Sequence, residues 1–234
     1  MKKNIISISA VIVIIGVIFA SCKKDEKETS TPIMPNTPTS DLIAPVINYS
    51  GNTIITHVLN APFTEPIVTA EDNIDGDLTS SIVKTGTVNK DLADTYFLTY
   101  SVSDLAGNSA EKTIQINVVN SAAYLAGIYS VSEAFTYNGT TDNFTYNQTI
   151  TTSNSINNKI FFQRFGDYKD GIVYATVTGT TLTIPQQDVV CGTNPQPIRT
   201  FMGQGSFTSS TINYTYSENT SGTSGTGSAT LTKQ

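Results

Sequence analysis

The chain contains no tryptophan, one histidine and two cysteines among its 234 residues. A single histidine excludes sites built from two imidazoles, and two cysteines cannot supply a thiolate metal cluster. Charged residues make up only 14% of the chain, and the formal net charge is −6. Nucleic acids reward Lys/Arg patches, which such a chain does not offer, so we expect no nucleic-acid partner.

The N-terminal segment has the pattern of a secretory leader. Two lysines precede an apolar run from Ile5 to Ala20. Sixteen helical residues rise about 24 Å, which is short of the roughly 30 Å hydrocarbon core of a membrane. The motif Phe19-Ala20-Ser21-Cys22 resembles the lipobox of bacterial lipoproteins. This resemblance implies cleavage before Cys22, lipidation of its thiol and a membrane anchor through that lipid; an uncleaved anchor or a conventional secretory cleavage is the alternative.

The residues after Cys22 predict a tether. The charged run 23–28 resembles the export signal that sends Bacteroidetes lipoproteins to the outer face of the outer membrane, and it implies a surface location. Residues 29–40 hold three prolines among Thr, Ser and Asn, a composition typical of an extended, partly stiff spacer. We therefore predict a signal peptide at 1–21 and a linker at 22–40.

Residues 41–120 show the two-residue alternation of β-strands and no helical period over three turns. Apolar and polar residues alternate through 96–103 and 113–118, and the turn sequence 104–108 between them predicts a hairpin. Together with shorter apolar runs upstream, this spacing predicts an Ig-like β-sandwich of about seven strands. The upstream runs are 46–49, 53–58, 67–70 and 82–88.

Three segments of this module resemble a known family. Residues 44–47 (APVI), 70–79 (AEDNIDGDLT) and 95–108, which end in SDLAGN, are similar to a bacterial Ig-like domain of unknown function. That domain is common in Bacteroidetes lipoproteins and also occurs in insecticidal crystal proteins. The resemblance implies a spacer or adhesive module and no catalysis.

Four aspartates of the module could supply oxygen ligands for Ca²⁺. They are Asp72, Asp75, Asp77 and Asp104, which would converge if their two loops share one end of the sandwich. The alternative is that these side chains cap turns through local backbone hydrogen bonds. The spacing is not that of an EF-hand, and we expect no other cofactor.

Residues 121–234 contain eight strand-like runs separated by Gly-Thr, Asn-Asn and Asp-Gly. Successive hairpins predict an eight-stranded antiparallel up-and-down barrel or a curled sandwich, whose inward aromatic rings either fill the core or line a small cavity. Motifs at 126–129, 160–166, 177–187 and 203–207 resemble the lipocalin-like C-terminal domains of Bacteroidetes lipoproteins, some of which are encoded beside glycan-uptake systems. The fold class predicted for the whole chain is therefore all-β.

We expect no enzyme, because no nucleophile or acid pair stands in a recognisable frame. His57 has the pattern of a sheet-face residue, and Asp167, Asp170 and Glu218 are too scattered in sequence to assign as a glycosidase pair. Cys191 is expected to be a buried apolar side chain. The sequence thus predicts an outer-membrane-anchored, surface-exposed lipoprotein that binds a glycan or a protein, or alternatively a structural or assembly component of an envelope complex with no small ligand.

Overall fold

The computed structural model describes residues 40–192 and 197–234. The signal peptide, Cys22 and the linker up to residue 39 lie outside the described residues. Within these ranges the chain forms β-strands and short 3₁₀ helices at Thr79–Ser81, Ala123–Leu125 and Phe165–Asp167. No helix of the described chain combines the length and the apolar character that a membrane span requires.

The first described strands form two sheets over one apolar core. The sheet orders are β1-β3-β4 and β2-β7-β6-β5, and buried residues of both sheets, including Ile47, Ala70, Leu98 and Ile114, pack together. This arrangement confirms the predicted Ig-like sandwich. The strands are β1 (Val46–Asn48), β2 (Ile54–Val58), β3 (Thr69–Asp72), β4 (Gly76–Asp77), β5 (Val83–Thr85), β6 (Asp94–Ser103) and β7 (Ser109–Val119).

The long hairpin of β6 and β7 has the register expected from its alternation, since Ser103 faces Ser109 across the turn. Gly107 adopts a φ of 93°, the left-handed conformation that favours glycine in this turn. Two features were not predicted. Strand β2 pairs in parallel with β7, and β4 is only two residues long. Parallel pairing depends on contacts between distant segments, which local turn residues do not reveal.

The remaining described strands form a closed antiparallel barrel, which confirms the predicted eight-stranded architecture. Each strand pairs with the next one, and the last strand returns to the first. The strands are β8 (Gly127–Tyr137), β9 (Thr140–Thr152), β10 (Lys159–Phe162), β11 (Val173–Thr178), β12 (Thr181–Val190), β13 (Ile198–Phe207), β14 (Thr211–Thr220) and β15 (Thr223–Lys233).

Aromatic rings fill much of the barrel interior. Phe165, which lies on the connection between β10 and β11, is fully buried. Its ring centroid lies 5.2 Å from that of Phe201, 5.3 Å from Tyr214 and 4.8 Å from Tyr216. Strand β15 makes room for these rings, because a Cβ on Gly227 would come within 2.1 Å of the Tyr216 ring. Inward glycine on one strand therefore permits bulky rings on its neighbour.

Hydrogen bonds join the sandwich to the barrel through the loop that connects β9 to β10. The Asn60 amide donates to the carbonyl of Ser155 at 3.1 Å and accepts from the Asn157 N–H at 2.8 Å. The buried Asn120 amide donates to the carbonyl of Ser153 at 2.9 Å. The junction is thus polar and satisfied by side-chain amides.

The strand directions place the turn 104–108 of the sandwich and the turn 138–139 of the barrel on opposite sides of the junction. Strand β6 begins beside the junction, where the Ala93 N–H donates to the Asn154 carbonyl, and it runs away to the turn 104–108. Strand β8 likewise leaves the junction and ends at the turn 138–139. The turn 104–108 therefore lies at one end of residues 40–234, and the open end of the barrel lies at the other.

Candidate functional sites

Three carboxylates converge at the sandwich end that is remote from the barrel. One side-chain oxygen from each of Asp41, Asp72 and Asp104 lies within 4.8 Å of the other two. Asp72 and Asp104 are buried, and Asp41 is half-buried. We call these three residues the acidic cluster.

Local turns position two members of the acidic cluster. Asp72 ends β3, and its Oδ1 accepts the N–H groups of Ile74 at 2.8 Å and Asp75 at 2.9 Å. The hydrogen bonds from these two N–H groups lower the pKa of Asp72, and that from Asp75 has the larger effect. The carboxylate form of Asp72 is therefore favoured. Asp104 directly follows β6. Its Oδ1 accepts the Asn108 N–H at 2.8 Å, and its Oδ2 accepts the Asn108 side-chain amide at 2.7 Å.

The structure brings together half of the predicted calcium ligands. Asp72 and Asp104 meet, whereas Asp77 accepts the Thr79 N–H at 2.9 Å and is not part of the acidic cluster. Asp75 instead joins the two loops by accepting the Leu105 N–H at 2.7 Å. The local capping alternative therefore describes Asp77, whereas Asp75 makes a contact between two loops that neither interpretation of the sequence included.

Sequence reasoning missed Asp41, which lies at the start of the described chain. Its Oδ1 accepts the Ile43 N–H at 3.0 Å, while the Asn108 amide donates to the Asp41 carbonyl at 3.2 Å. This docking brings the first residues of the domain against the turn 104–108. Asp41 lies more than 30 residues from Asp72 and Asp104 in the sequence, so residue spacing gave no signal for it.

A second candidate site lies at the open end of the barrel. Phe135, Tyr137, Tyr168, Arg199 and Glu218 help to line a cavity of about 270 Å³. We call these five residues the barrel mouth. Three aromatic rings and one ion pair therefore face the same small space.

The ion pair of the barrel mouth is largely buried. The Arg199 and Glu218 side chains are 20% and 6% exposed, and a guanidinium N–H of Arg199 donates to Glu218 Oε1. The same oxygen accepts the Tyr168 hydroxyl at 3.0 Å, and the Arg199 guanidinium lies 4.4 Å from the Tyr168 ring centroid. Burial and then the Glu218 charge raise the pKa of Tyr168, so its hydroxyl stays a donor at neutral pH.

The barrel mouth also contains polar atoms without an internal partner. Arg199 Nε and Glu218 Oε2 are buried, and neither makes a hydrogen bond among the described residues. Buried polar groups are normally satisfied, so such atoms mark places where a ligand or water can bind. The sequence held one signal for this site, which is the rarity of arginine. The whole chain has two arginines, Arg164 and Arg199, and Arg199 lies in the barrel mouth.

A second buried carboxylate lies deeper in the barrel, on the same face of β8 as Phe135. Glu133 is 3% exposed, and it accepts the hydroxyl of Tyr146 at 2.5 Å and that of Tyr216. Burial raises the pKa of Glu133, and the two tyrosine hydrogen bonds oppose that shift. Glu133 was not singled out from the sequence, because alternation alone gives no reason for an acid on the inner face.

Two larger depressions, each of about 600 Å³, lie over the outer faces of β8, β13, β14 and β15. Small polar residues such as Ser132, Gln204, Thr215 and Ser228 line them. Glu133 and Tyr214 also border the first depression, but both residues are buried. The chemistry of recognition is richer at the smaller barrel mouth.

Cys191 and His57, which were considered from the sequence, lie in surroundings that suit structural roles. Cys191 is fully buried, and burial raises the pKa of its thiol to about 11, so the reactive thiolate is scarce at neutral pH. The His57 ring lies edge-on to Phe63 with centroids 5.1 Å apart, and its Nε2 is 3.2 Å from the Ala61 carbonyl.

Comparison with known proteins supports the resemblance of the sandwich. Residues 47–118 match the family model for the bacterial surface protein Ig-like domain. A 74-residue stretch is 39% identical to the pesticidal crystal protein Cry22Aa of Bacillus thuringiensis. That stretch covers 31% of this chain and 10% of the crystal protein, so the chain spans about a tenth of that relative's length.

Two solved structures are similar over both modules. A lipoprotein from Bacteroides thetaiotaomicron is 19% identical with a TM-score of 0.36, and the match covers 81% of this chain and 100% of that one. A candidate outer membrane protein from Bacteroides fragilis is 13% identical with a TM-score of 0.40, and the match covers 82% of this chain and 95% of that one.

Proposed function

We propose that this protein is a lipid-anchored protein of the bacterial outer surface that binds a small polyhydroxylated ligand, a glycan end, at the barrel mouth without transforming it. The Ig-like sandwich acts as the spacer between anchor and barrel. The observation that carries the proposal is the convergence of aromatic rings and a partly unsatisfied Arg–Glu pair in one cavity.

The anchoring part of the proposal is supported by the leader and by the order of the modules. The motif that ends in Cys22 provides the thiol for lipidation. The described chain begins at the acidic cluster, at the end remote from the barrel mouth. A tether attached at residue 40 therefore leaves the barrel mouth free for ligands.

The binding part of the proposal follows from the chemistry of the barrel mouth. Sugars combine an apolar ring face with hydroxyls that both donate and accept hydrogen bonds. Tyr137 is 39% exposed and offers an aromatic face, while Arg199 Nε can donate and Glu218 Oε2 can accept. A cavity of about 270 Å³ is slightly smaller than the drug-sized range of roughly 300–1,000 Å³, which suits a single sugar unit.

The absence of catalysis is likewise proposed, on the state of the two carboxylates in the barrel. Glu218 is held in an ion pair, and Glu133 lies behind tyrosine hydroxyls that donate to both of its oxygens. A glycosidase needs one carboxyl free to protonate a leaving group and another free to attack or to activate water. Here the Glu218 charge is paired with Arg199 and both oxygens of Glu133 accept tyrosine hydroxyls, so neither acid is free for these roles.

Glycan-array binding by the purified full chain tests the binding proposal. We expect selective binding that Tyr137→Ala weakens at least tenfold. Tyr124→Ala is the matched control, because Tyr124 is 52% exposed near the junction end of the barrel and should leave affinity unchanged. Absence of binding to every glycan, or equal loss in both variants, would overturn the proposal and favour a structural role in an envelope complex.

Mass spectrometry of the membrane-extracted protein tests the anchor. We expect a chain that begins at Cys22 and carries the mass of its acyl groups. Retention of residues 1–21 without added lipid would contradict the anchoring proposal. Incubation with chromogenic glycosides tests the lack of catalysis, for which we expect no turnover above that of buffer.

A further inference from the structure

We infer that the acidic cluster of Asp41, Asp72 and Asp104 is a Ca²⁺ site that pins the first residues of the sandwich to two of its loops. This site is independent of the barrel mouth. It includes Asp41, which the aspartate pattern of the sequence does not reveal, and it omits Asp75 and Asp77 as ligands.

The first argument is the convergence of like charges without a counter-charge. Three carboxylates that offer oxygens within 4.8 Å of one another repel strongly unless a cation lies between them. The ion pairs found among the described residues lie elsewhere, at Lys84–Glu65, Lys90–Asp91, Arg164–Asp167 and Arg199–Glu218. No Lys or Arg of the described chain is paired with the acidic cluster.

The second, independent argument is the state of individual oxygens. Asp72 is 7% exposed, and its Oδ2 is buried without any hydrogen-bond partner. Asp41 Oδ2 is buried and unpartnered in the same way. Buried carboxylate oxygens are costly to leave without a hydrogen-bond donor or a metal, so these two atoms are suited to bind a cation.

The third argument is the geometry of the turn that holds Asp72. The backbone N–H groups of Asp75 and Ile74 both donate to Asp72 Oδ1, and this stabilises the ionised carboxylate. A cation between the carboxylates removes the repulsion and leaves these turn hydrogen bonds in place.

The donor set favours calcium among the common cations. All three side chains offer carboxylate oxygens. Ca²⁺ accepts six to eight oxygens in irregular geometry, whereas Mg²⁺ demands a near-ideal octahedron. Zinc and copper prefer nitrogen or sulfur ligands, which the acidic cluster does not provide.

Binding at this point would have a mechanical consequence. Asp41 immediately follows the predicted linker, Asp72 ends β3, and Asp104 directly follows β6. A shared cation would tie three segments that are otherwise joined by few hydrogen bonds. A force on the tether would then act on three linked segments of the sandwich rather than on its N-terminal segment alone.

Calorimetric titration of the purified full chain with CaCl₂, after removal of divalent ions with a chelator, tests the inference. We expect one saturable site with a Kd of about 10⁻⁴–10⁻³ M, the range of extracellular calcium modules. Asp41→Asn should weaken binding about tenfold or more. This variant should fold, because an asparagine Oδ1 can still accept the Ile43 N–H.

Asp77→Asn is the matched control, since it removes a nearby acid that lies outside the acidic cluster. Its affinity for Ca²⁺ should equal that of the unmodified chain. No saturable binding up to about 10 mM Ca²⁺, unchanged affinity in Asp41→Asn, or equal affinity for Mg²⁺ would each overturn the assignment.

Discussion

The two ends of the described chain treat buried carboxylates in opposite ways. At the barrel mouth, Glu218 is matched by Arg199 and by the Tyr168 hydroxyl, so the barrel neutralises its own acid. At the far end of the sandwich, Asp41, Asp72 and Asp104 converge without a cationic side chain. The carboxylate of the barrel mouth has its counter-charge within the protein, whereas the acidic cluster needs a cation from solution.

The difference follows from where the chain places its few cations. Both arginines lie in the barrel, and each is paired with an acid there. Arginine can hold a buried carboxylate through a planar guanidinium, and lysine is more strongly hydrated. The sandwich has no arginine, so its buried acids accept hydrogen bonds from backbone N–H groups and from the Asn108 amide, and their counter-charge has to come from a cation in solution.

The largest expected effect is the loss of the internal counter-charge at the barrel mouth. Arg199→Met should lower the free energy of unfolding by about 3 kcal/mol, because it leaves Glu218 buried and unpaired. Adding Glu218→Gln to that variant should restore much of the loss. Urea unfolding of the full chain at pH 7 measures both changes.

The exposed pair of Lys84 and Glu65 supplies the control for this experiment, since its side chains are 35% and 50% exposed. Lys84→Met should cost at most about 1 kcal/mol. A loss in Arg199→Met no greater than that in Lys84→Met would contradict the account of the barrel mouth.

A smaller effect concerns Glu133, whose buried carboxyl has tyrosine partners but no arginine. Because burial raises its pKa in the folded state, folding favours the protonated form. Its contribution to stability is therefore fully present below the ordinary glutamate pKa of 4.5 and is lost as pH rises through the folded-state value.

Glu133→Gln should remove this part of the pH dependence. The melting temperature of the variant should gain on that of the unmodified chain as the pH rises from about 4.5 towards neutrality. Thermal unfolding at a series of pH values measures the difference. A constant difference across the series would show that Glu133 does not titrate as proposed.

The smallest expected effect is that Asp41→Asn shifts the melting temperature in opposite directions without and with Ca²⁺. In the presence of a chelator, Asp41→Asn should raise the melting temperature by about 1–2 °C, because it removes one repulsive carboxylate. In about 10 mM Ca²⁺ the same variant should melt below the unmodified chain, since it lacks one ligand. Scanning calorimetry under the two conditions measures the reversal, and the same sign in both would contradict it.

Much of the fold was predictable because its signals are local. The alternation through β6 and β7, with Gly107 in the turn, predicted the hairpin. The repeated turn residues of 121–234 likewise predicted eight strands, although closure of the barrel depends on pairing between β8 and β15, which are distant in sequence. The parallel pairing of β2 with β7 is equally non-local and was missed.

The sites were harder to predict because each combines segments that are far apart in the chain. The aspartates of 70–79 look alike in sequence, yet only Asp72 faces the acidic cluster, since Asp77 turns to cap Thr79. Asp41 joins from the predicted linker boundary. The barrel mouth similarly unites Tyr168, Arg199 and Glu218 through the closure of the barrel. Cys22, on which the anchor depends, remains a prediction because it lies outside the described residues.

Hydrogen exchange of the full chain with and without Ca²⁺ tests the contrast between the two ends most directly. Backbone amides of 41–43, 72–79 and 104–108 should gain protection in Ca²⁺, because the cation would fasten these segments together. Amides around Glu133, Arg199 and Glu218 should not change, since their charges are already matched inside the barrel. Equal protection of both ends, or no change at the sandwich end, would contradict the account.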